Sequence, residues 1–237
     1  MTCYMGLQVK RLAFIHRKLH SLHMNQNAAV LTGDLIASTQ AGQSAVDGAM
    51  AVLEGIAHHE AEISGLDIRF ARFRGDGWQI YCPDAKLVFR LTVLVLANLH
   101  SRPALAQTRL SIATGAVAVL PETGLASASG EVFSDSGQTL DGMTGQRLVF
   151  NRTGHEWAWQ TPLFSYLDWQ SSRWSTEQAE AVALAFRYEP PRPREVASAL
   201  GISRQAAQSR LNGAGYGPLS EAETSFHVIS YLRGTHD

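Results

Sequence analysis

The chain has 237 residues and a mass of 25.8 kDa, enough for one large domain or two small ones at about 100–200 residues each. Apolar residues make up 45% and charged residues 17%, a balance that buries a core and excludes a disordered chain. Net charge is −1, with 17 Arg against 3 Lys; the arginine excess reads as a compositional habit of the source, not as a nucleic-acid surface.

Residues 1–27 carry Lys10, Arg11, Arg17 and Lys18 and no acid. They lack the apolar run of a secretory leader. They read as a dispensable basic extension, with Met24 placed as an alternative start, or else as a targeting peptide or a basic arm. Ala28–Ile36 (AAVLTGDLI) is an apolar run ending in a Gly-Asp step, the pattern of a buried strand and a turn. Ser44–Ser64 places Val46, Met50, Leu53, Ile56 and Ala57 at helical spacing. Asp67–Arg74 alternates apolar and polar, Gly75-Asp76-Gly77 signals a tight turn, and Trp78–Cys82 is a second strand, so the pair predicts a hairpin.

Asp84–His100 predicts an apolar helix, broken by Arg90 and too short for a membrane span of about 20 residues. Thr108–Leu120 predicts a long strand, Pro121–Ser136 a loop, and Gly137–Phe150 a helix. Trp157–Gln160 suits a short strand and Leu163–Gln170 a closing helix. The order is βαββαβ, an α+β domain with a mostly antiparallel sheet and helices on one face. The two cysteines, Cys3 and Cys82, make neither a disulfide framework nor a four-cysteine zinc site, and the reading is a reducing, cytoplasmic compartment.

After Trp174 only helices are expected: Thr176–Tyr188, then Arg194–Leu200 and Ser203–Leu211 joined at Gly201. The division is therefore 1–27, a basic extension; 28–172, the α+β domain; and 173–237, a small all-α domain. Within it, EVASALGISRQAAQSRL has helix-turn-helix spacing, with Ala197 at the crossing and Gly201 in the turn. Ser203, Arg204, Gln205, Gln208, Ser209 and Arg210 are the candidate DNA-facing residues, chemically suited to base edges and phosphates. Residues 173–237 hold seven Arg and seven acids, so no basic face is evident by count. His155, His227 and His236 are isolated, and the His58-His59 pair has no ligand set beside it.

Two aspartates carry the chemistry. Asp34 follows the first strand and Asp76 tips the hairpin. In a βαββαβ sheet these strands are neighbours, so both carboxylates come to one edge. Adjacent carboxylates need a shared proton or a cation, and Mg²⁺ is held by one or two carboxylates plus substrate phosphates. The turn after Asp34 offers backbone N–H groups of the kind that cradle phosphate. The pattern suits two-metal phosphoryl transfer.

Val30–Ser38 (VLTGDLIAS), Arg74–Ile80 (RGDGWQI) and Arg109–Val117 (RLSIATGAV) together resemble the motif series of the class III nucleotidyl cyclase fold, which also includes diguanylate cyclases and polymerase palms. Combined with the C-terminal helix-turn-helix, the chain is similar to the SatD-like family of bacterial proteins. The resemblance covers about 28–150. It implies a palm-type, ferredoxin-like domain in which Asp34 and Asp76 are metal-binding and catalytic, with Leu35 as a further metal contact and Mg²⁺ or Mn²⁺ as the cofactor. It implies nucleoside triphosphate contacts at Gly33, Leu35, Ile36, Ser38, Gly75, Gly77 and Asp141, a site at a homodimer interface, and no membrane partner. The cyclases' transition-state Asn and Arg fall here on Asp141 and Gly145. Arg147 lies two residues on, about 200° round an ideal helix, and Arg72, Arg74 and Arg109 are substitutes. Four readings follow. The chain is a metal-dependent nucleotide sensor read out on double-stranded DNA, an active nucleotidyl cyclase or cyclic oligonucleotide synthetase, a catalytically dead dimerisation scaffold, or a plain transcription regulator.

Overall fold

The computed structural model describes residues 28–73, 75–151, 159–187 and 191–228. The basic extension 1–27, Arg74, His155, His236 and Tyr188 lie outside the described residues, as do 157 and 158 of the strand expected at 157–160; its other two residues are not strand, Trp159 being turn and Gln160 the start of a helix.

Five strands form one sheet: β1 (Ala28–Leu35), β2 (Arg69–Phe73), β3 (Gly77–Cys82), β4 (Thr108–Gly115) and β5 (Leu148–Asn151), in the order β2-β3-β1-β4-β5. β1 is central, which is why its sequence is apolar almost throughout and its residues are buried from Ala28 to Gly33. It pairs antiparallel with β3, setting Asp34 opposite Gly77, and antiparallel with β4, setting Asp34 opposite Arg109. β2 and β3 form the expected hairpin, and β4 and β5 run parallel.

After β1 come a single turn, α1 (Ser38–Ala41), and the long α2 (Gln43–Ser64). On α2, Val46, Ala49, Met50, Leu53, Ile56, Ala57 and Glu60 are buried at helical spacing. Gly65 ends it in the left-handed conformation at φ 69, where its N–H reaches Ala61 O. A 3₁₀ turn, Ala85–Leu87, capped by Asp84 through Lys86 N at 3.0 Å, leads into α3 (Val88–His100). Every residue of α3 from Val88 to Ala97 is buried. A helix apolar all round sits between two layers, and α3 lies between the sheet and the C-terminal helices.

The sheet is covered on both faces, not on one as the sequence pattern predicts. Ala29, Leu31, Leu35, Ile80, Leu110 and Ile112 join α2 and α3 in the main core. Ala28, Val30, Tyr81 and Ala113 point the other way, onto Val117, Leu125, Val132 and Phe133. The last two belong to α4 (Glu131–Asp141). This helix starts six residues before the expected Gly137 and stops at Asp141, and the rest of the expected helix is loop and β5. Its Ser134, Ser136 and Gly137 look like loop residues in the sequence, yet Val132, Phe133, Ser136 and Leu140 make one buried stripe.

Five helices include or follow the expected C-terminal ones: α5 (Gln160–Ser171), α6 (Thr176–Ala185), α7 (Pro193–Leu200), α8 (Arg204–Ala214) and α9 (Tyr216–Val228). The sequence pattern does not predict α9, because Gly217 and Pro218 resemble a break. Proline is tolerated in a first turn, where the backbone N–H has no intrahelical partner. Phe164, Leu167, Trp174, Val182, Phe186, Leu219 and Phe226 belong to the same core as α3. A smaller core of Ala181, Ala185, Val196, Ala197, Ala207 and Leu211 holds α6, α7 and α8 together. Gly201 turns between α7 and α8 in the left-handed conformation, φ 64. No helix among the described residues is long and apolar enough to cross a membrane.

Candidate functional site

The register of β1 against its two neighbours builds the site. At the end of β1, Leu35 N donates to Asp76 O at 3.1 Å and Ile36 N to Gln107 O at 2.7 Å. These bonds tie the β2–β3 turn and the start of β4 to the same strand end. Asp34 and Asp76 therefore reach one sheet edge, as the alternation of strands predicts.

Each carboxylate has a partner. Residues directly opposite in an antiparallel pair point to one face, and Arg109 grips Asp34 in a fork, Nε to Oδ1 at 2.8 Å and Nη2 to Oδ2 at 2.8 Å. Both side chains are about one-third open to solvent. The Asp34 hydrogen bond raises the Arg109 pKa; burial opposes it and the Asp141 charge adds to it. Asp76 Oδ2 accepts from Ser38 Oγ at 2.6 Å. In the chain between Asp34 and Ser38 is Ala37, a non-glycine residue in the left-handed region at φ 53. Such a backbone costs of the order of 1–3 kcal/mol and gathers at functional sites.

The carbonyl of Asp34 is fixed from beneath. Trp78 Nε1 donates to Thr108 Oγ1 at 2.9 Å, and Thr108 Oγ1 donates to Asp34 O at 2.7 Å. Gly33 leaves the space for that indole: a Cβ there would lie 2.4 Å from Trp78 Cζ2 and 2.7 Å from Arg109 O. A Cβ on Gly77 would lie 2.7 Å from Phe73 Cε2, and Gly75 takes the turn at φ 84. The three glycines expected at the nucleotide thus have packing and turn roles in the structure. Of the amides after Asp34, those of Leu35 and Ile36 already serve main-chain acceptors. The Leu35 side chain is buried and the Ile36 side chain exposed.

Behind the edge a buried polar cluster pins α4 to the sheet. Thr32 Oγ1 and Ser136 Oγ lie 2.8 Å apart, Gln79 Nε2 donates to Thr32 Oγ1 at 3.1 Å, and Ser111 Oγ donates to Ser136 O. Past the end of α4, Met143 O accepts from Arg109 Nη1 at 3.4 Å, and Asp141 is exposed nearby. Residues 142–147 are loop, so the helical angle expected for Arg147 does not apply. Its carbonyl accepts from Leu110 N at 2.8 Å and its N–H reaches Asp168 Oδ2 at 3.4 Å. Arg147 Nε and Asp168 Oδ1 are buried with no hydrogen-bond partner among the described residues. Of the substitute arginines, Arg109 reaches Asp34, while Arg72 binds Asp47 at 2.7 Å and Gly75 O at 2.7 Å. The Arg109–Asp34 fork and the Ser38 contact escape sequence reasoning, because both depend on register between distant strands.

The donor set is all oxygen, the chemistry of Mg²⁺ or Mn²⁺. No group of three His, Cys, Asp or Glu able to hold a metal occurs among the described residues. Two carboxylates fit a cation that arrives with substrate phosphates supplying the remaining ligands.

Elsewhere, a groove of about 650 Å³ runs between α2–α3 and α6–α7, lined by His59, Asn98, Arg102, Leu184 and Arg187 among others. Neither aspartate lines it. On α8, Ser203, Arg204, Gln205, Gln208 and Ser209 are exposed. Ser203 Oγ caps the helix through Ala206 N at 3.1 Å, Gln208 Nε2 bonds Asn212 Oδ1 at 2.8 Å, and Arg210 pairs with Glu180 at 3.3 Å.

No family model matches the sequence, and no curated protein does. Among solved structures, the crystal structure of the guanylyl cyclase Cya2 is similar at 16% identity and TM-score 0.36, across 53% of this chain and 74% of that one. A bacterial light-regulated adenylyl cyclase is similar at 13% identity and TM-score 0.36, across 53% and 75%. The likeness is partial and assigns no activity to this chain.

Proposed function

We propose that the protein binds a nucleoside triphosphate or a related nucleotide at the Asp34–Asp76 edge, together with Mg²⁺ or Mn²⁺. The observation that carries this reading is the convergence of two carboxylates, a guanidinium and the Ser38 hydroxyl on one strand end, around a left-handed Ala37. The cation supplies charge neutralisation between carboxylates and phosphates. Asp34 and Asp76 orient it, Ser38 holds the Asp76 carboxyl, and Arg109 offers a planar fork that suits phosphate as well as carboxylate. Ile36 and Phe73, large apolar side chains exposed at the ends of β1 and β2, give a second copy a surface on which to close the site. We further propose that α7, the Gly201 turn and α8 form a helix-turn-helix that reports the bound state on double-stranded DNA. The exposed polar face of α8 supports this reading.

The test is calorimetric titration of ATP and GTP into the purified protein, with and without Mg²⁺. Metal-dependent binding in the wild type, reduced about a hundredfold or more in Asp34→Ala and Asp76→Ala, supports the proposal; the scale is the 3–5 kcal/mol typical of breaking a buried charged contact, discounted for exposure. Equal binding by all three proteins sinks it. Fluorescence anisotropy with duplex DNA, nucleotide-loaded and free, tests the readout, and binding that does not fall with salt would count against phosphate contact.

A second reading is an enzyme of the phosphoryl-transfer type. Arg147, whose buried Nε has no hydrogen-bond partner among the described residues, beside the start of β4, is the observation that favours it. A new product in chromatography of the incubated mixture decides for this reading.

A further inference from the structure

Asp34 presents two carboxylate oxygens, and Arg109 engages both at 2.8 Å. A cation approaching Asp34 must displace that fork. The arginine is itself secured only lightly elsewhere, through Met143 O at 3.4 Å, and its side chain is 34% exposed. It therefore has solvent-side room to swing. Asp76, by contrast, is held by the neutral Ser38 hydroxyl, which leaves its charge uncompensated by a side chain at that contact.

We infer that Arg109 is an internal counter-cation that competes with the divalent metal for Asp34, so that metal and phosphate must bind together. This rests on the site reading above and deepens it by naming its control. With the site at rest, the guanidinium neutralises Asp34 and opposes binding of free metal. When a triphosphate brings a metal to the edge, Asp34 turns to the metal and the Arg109 fork passes to a phosphate oxygen. One guanidinium serves two anions in turn because planar, bidentate donors match both geometries. In each state the two carboxylates face a cation, the guanidinium at rest and the metal when the site is loaded, which limits the cost of their adjacency. Asp141, exposed and close enough to affect the arginine electrostatically, gives the displaced guanidinium a neighbouring negative charge.

The measurement is Mn²⁺ binding by the full chain without nucleotide, read as loss of the free-ion paramagnetic resonance signal, and then binding of ATP pre-loaded with Mn²⁺, read by calorimetry. Arg109→Gln removes the competing charge. It is expected to bind Mn²⁺ alone about tenfold more tightly than wild type, within the usual range of coupling between ligands. It is also expected to lose about tenfold in affinity for ATP with Mn²⁺, because the phosphate fork is gone. Arg109→Lys keeps the charge without the fork, so it is expected to stay near wild type for Mn²⁺ alone while losing ATP affinity. It serves if the glutamine variant does not fold. Unchanged or weaker Mn²⁺ binding by a folded Arg109→Gln overturns the inference. If the wild type still binds ATP with Mn²⁺ in that case, the site reading survives without it. If wild type and Asp76→Asn both fail to bind Mn²⁺ with ATP, the site reading falls and takes the inference with it.

Discussion

At residue 33 a methyl group is too much. The Trp78 indole lies where a Cβ would stand, and the carbonyl of Arg109 closes the other side. Gly33→Ala is expected to destabilise the fold by about 1–3 kcal/mol, the usual cost of overpacking, as read by urea denaturation. It should also weaken nucleotide binding, since the same indole supports Asp34 through Thr108. Cys82 is a second residue whose surroundings dictate its behaviour. Burial pushes its thiol pKa up, and its Sγ–H donates to Asp84 O at 3.2 Å. The thiolate is the reactive form, so Cys82 should resist alkylation at neutral pH until the protein unfolds. Mass spectrometry of protein treated with iodoacetamide, native and in denaturant, checks this; rapid modification of native Cys82 would contradict it.

The elements differ in how plainly their residues declare them. β1, α2, the β2–β3 hairpin and the α7–turn–α8 segment are legible, because each carries one clear period bounded by turn residues such as Gly75 or Gly201. α4 contains Ser136, whose hydroxyl meets Phe133 O in its own helix and Thr32 across the sheet, while its carbonyl accepts from Ser111. β5 has four residues, too few for alternation to separate it from the end of a helix. The two aspartates are legible because strand ends and turn tips are local features. The Arg109 fork is not, since it depends on pairing β1 with a strand some seventy residues away. At this scale α8 offers a clean test. Ser203 Oγ caps its first turn, so Ser203→Ala should lower stability by about 1 kcal/mol, and Ser203→Gly by only a few tenths, in thermal or urea unfolding.

The whole molecule is joined through α3. Its Arg90 is 1% exposed and binds Glu60 of α2 at 2.6 Å and Glu223 of α9 at 3.2 Å. Burial opposes the Arg90 charge, and the two glutamates more than offset it, so its pKa is raised. Breaking a buried pair leaves an uncompensated charge. Glu60→Gln is therefore expected to cost about 3 kcal/mol or more, with the sheet and the C-terminal helices melting together because one core spans both. A separate early transition of the C-terminal helices in calorimetry would contradict this.

The central claim is that the Asp34–Asp76 edge is where nucleotide and metal meet. The measurement that tests it most directly is anomalous diffraction from crystals grown with Mn²⁺ and a non-hydrolysable nucleoside triphosphate. The account predicts a manganese peak between the Asp34 and Asp76 carboxylates, with phosphate beside it and Arg109 turned from Asp34 to a phosphate oxygen. Nucleotide bound instead in the groove between α2–α3 and α6–α7, with the Arg109–Asp34 fork intact and no manganese at the edge, would contradict it.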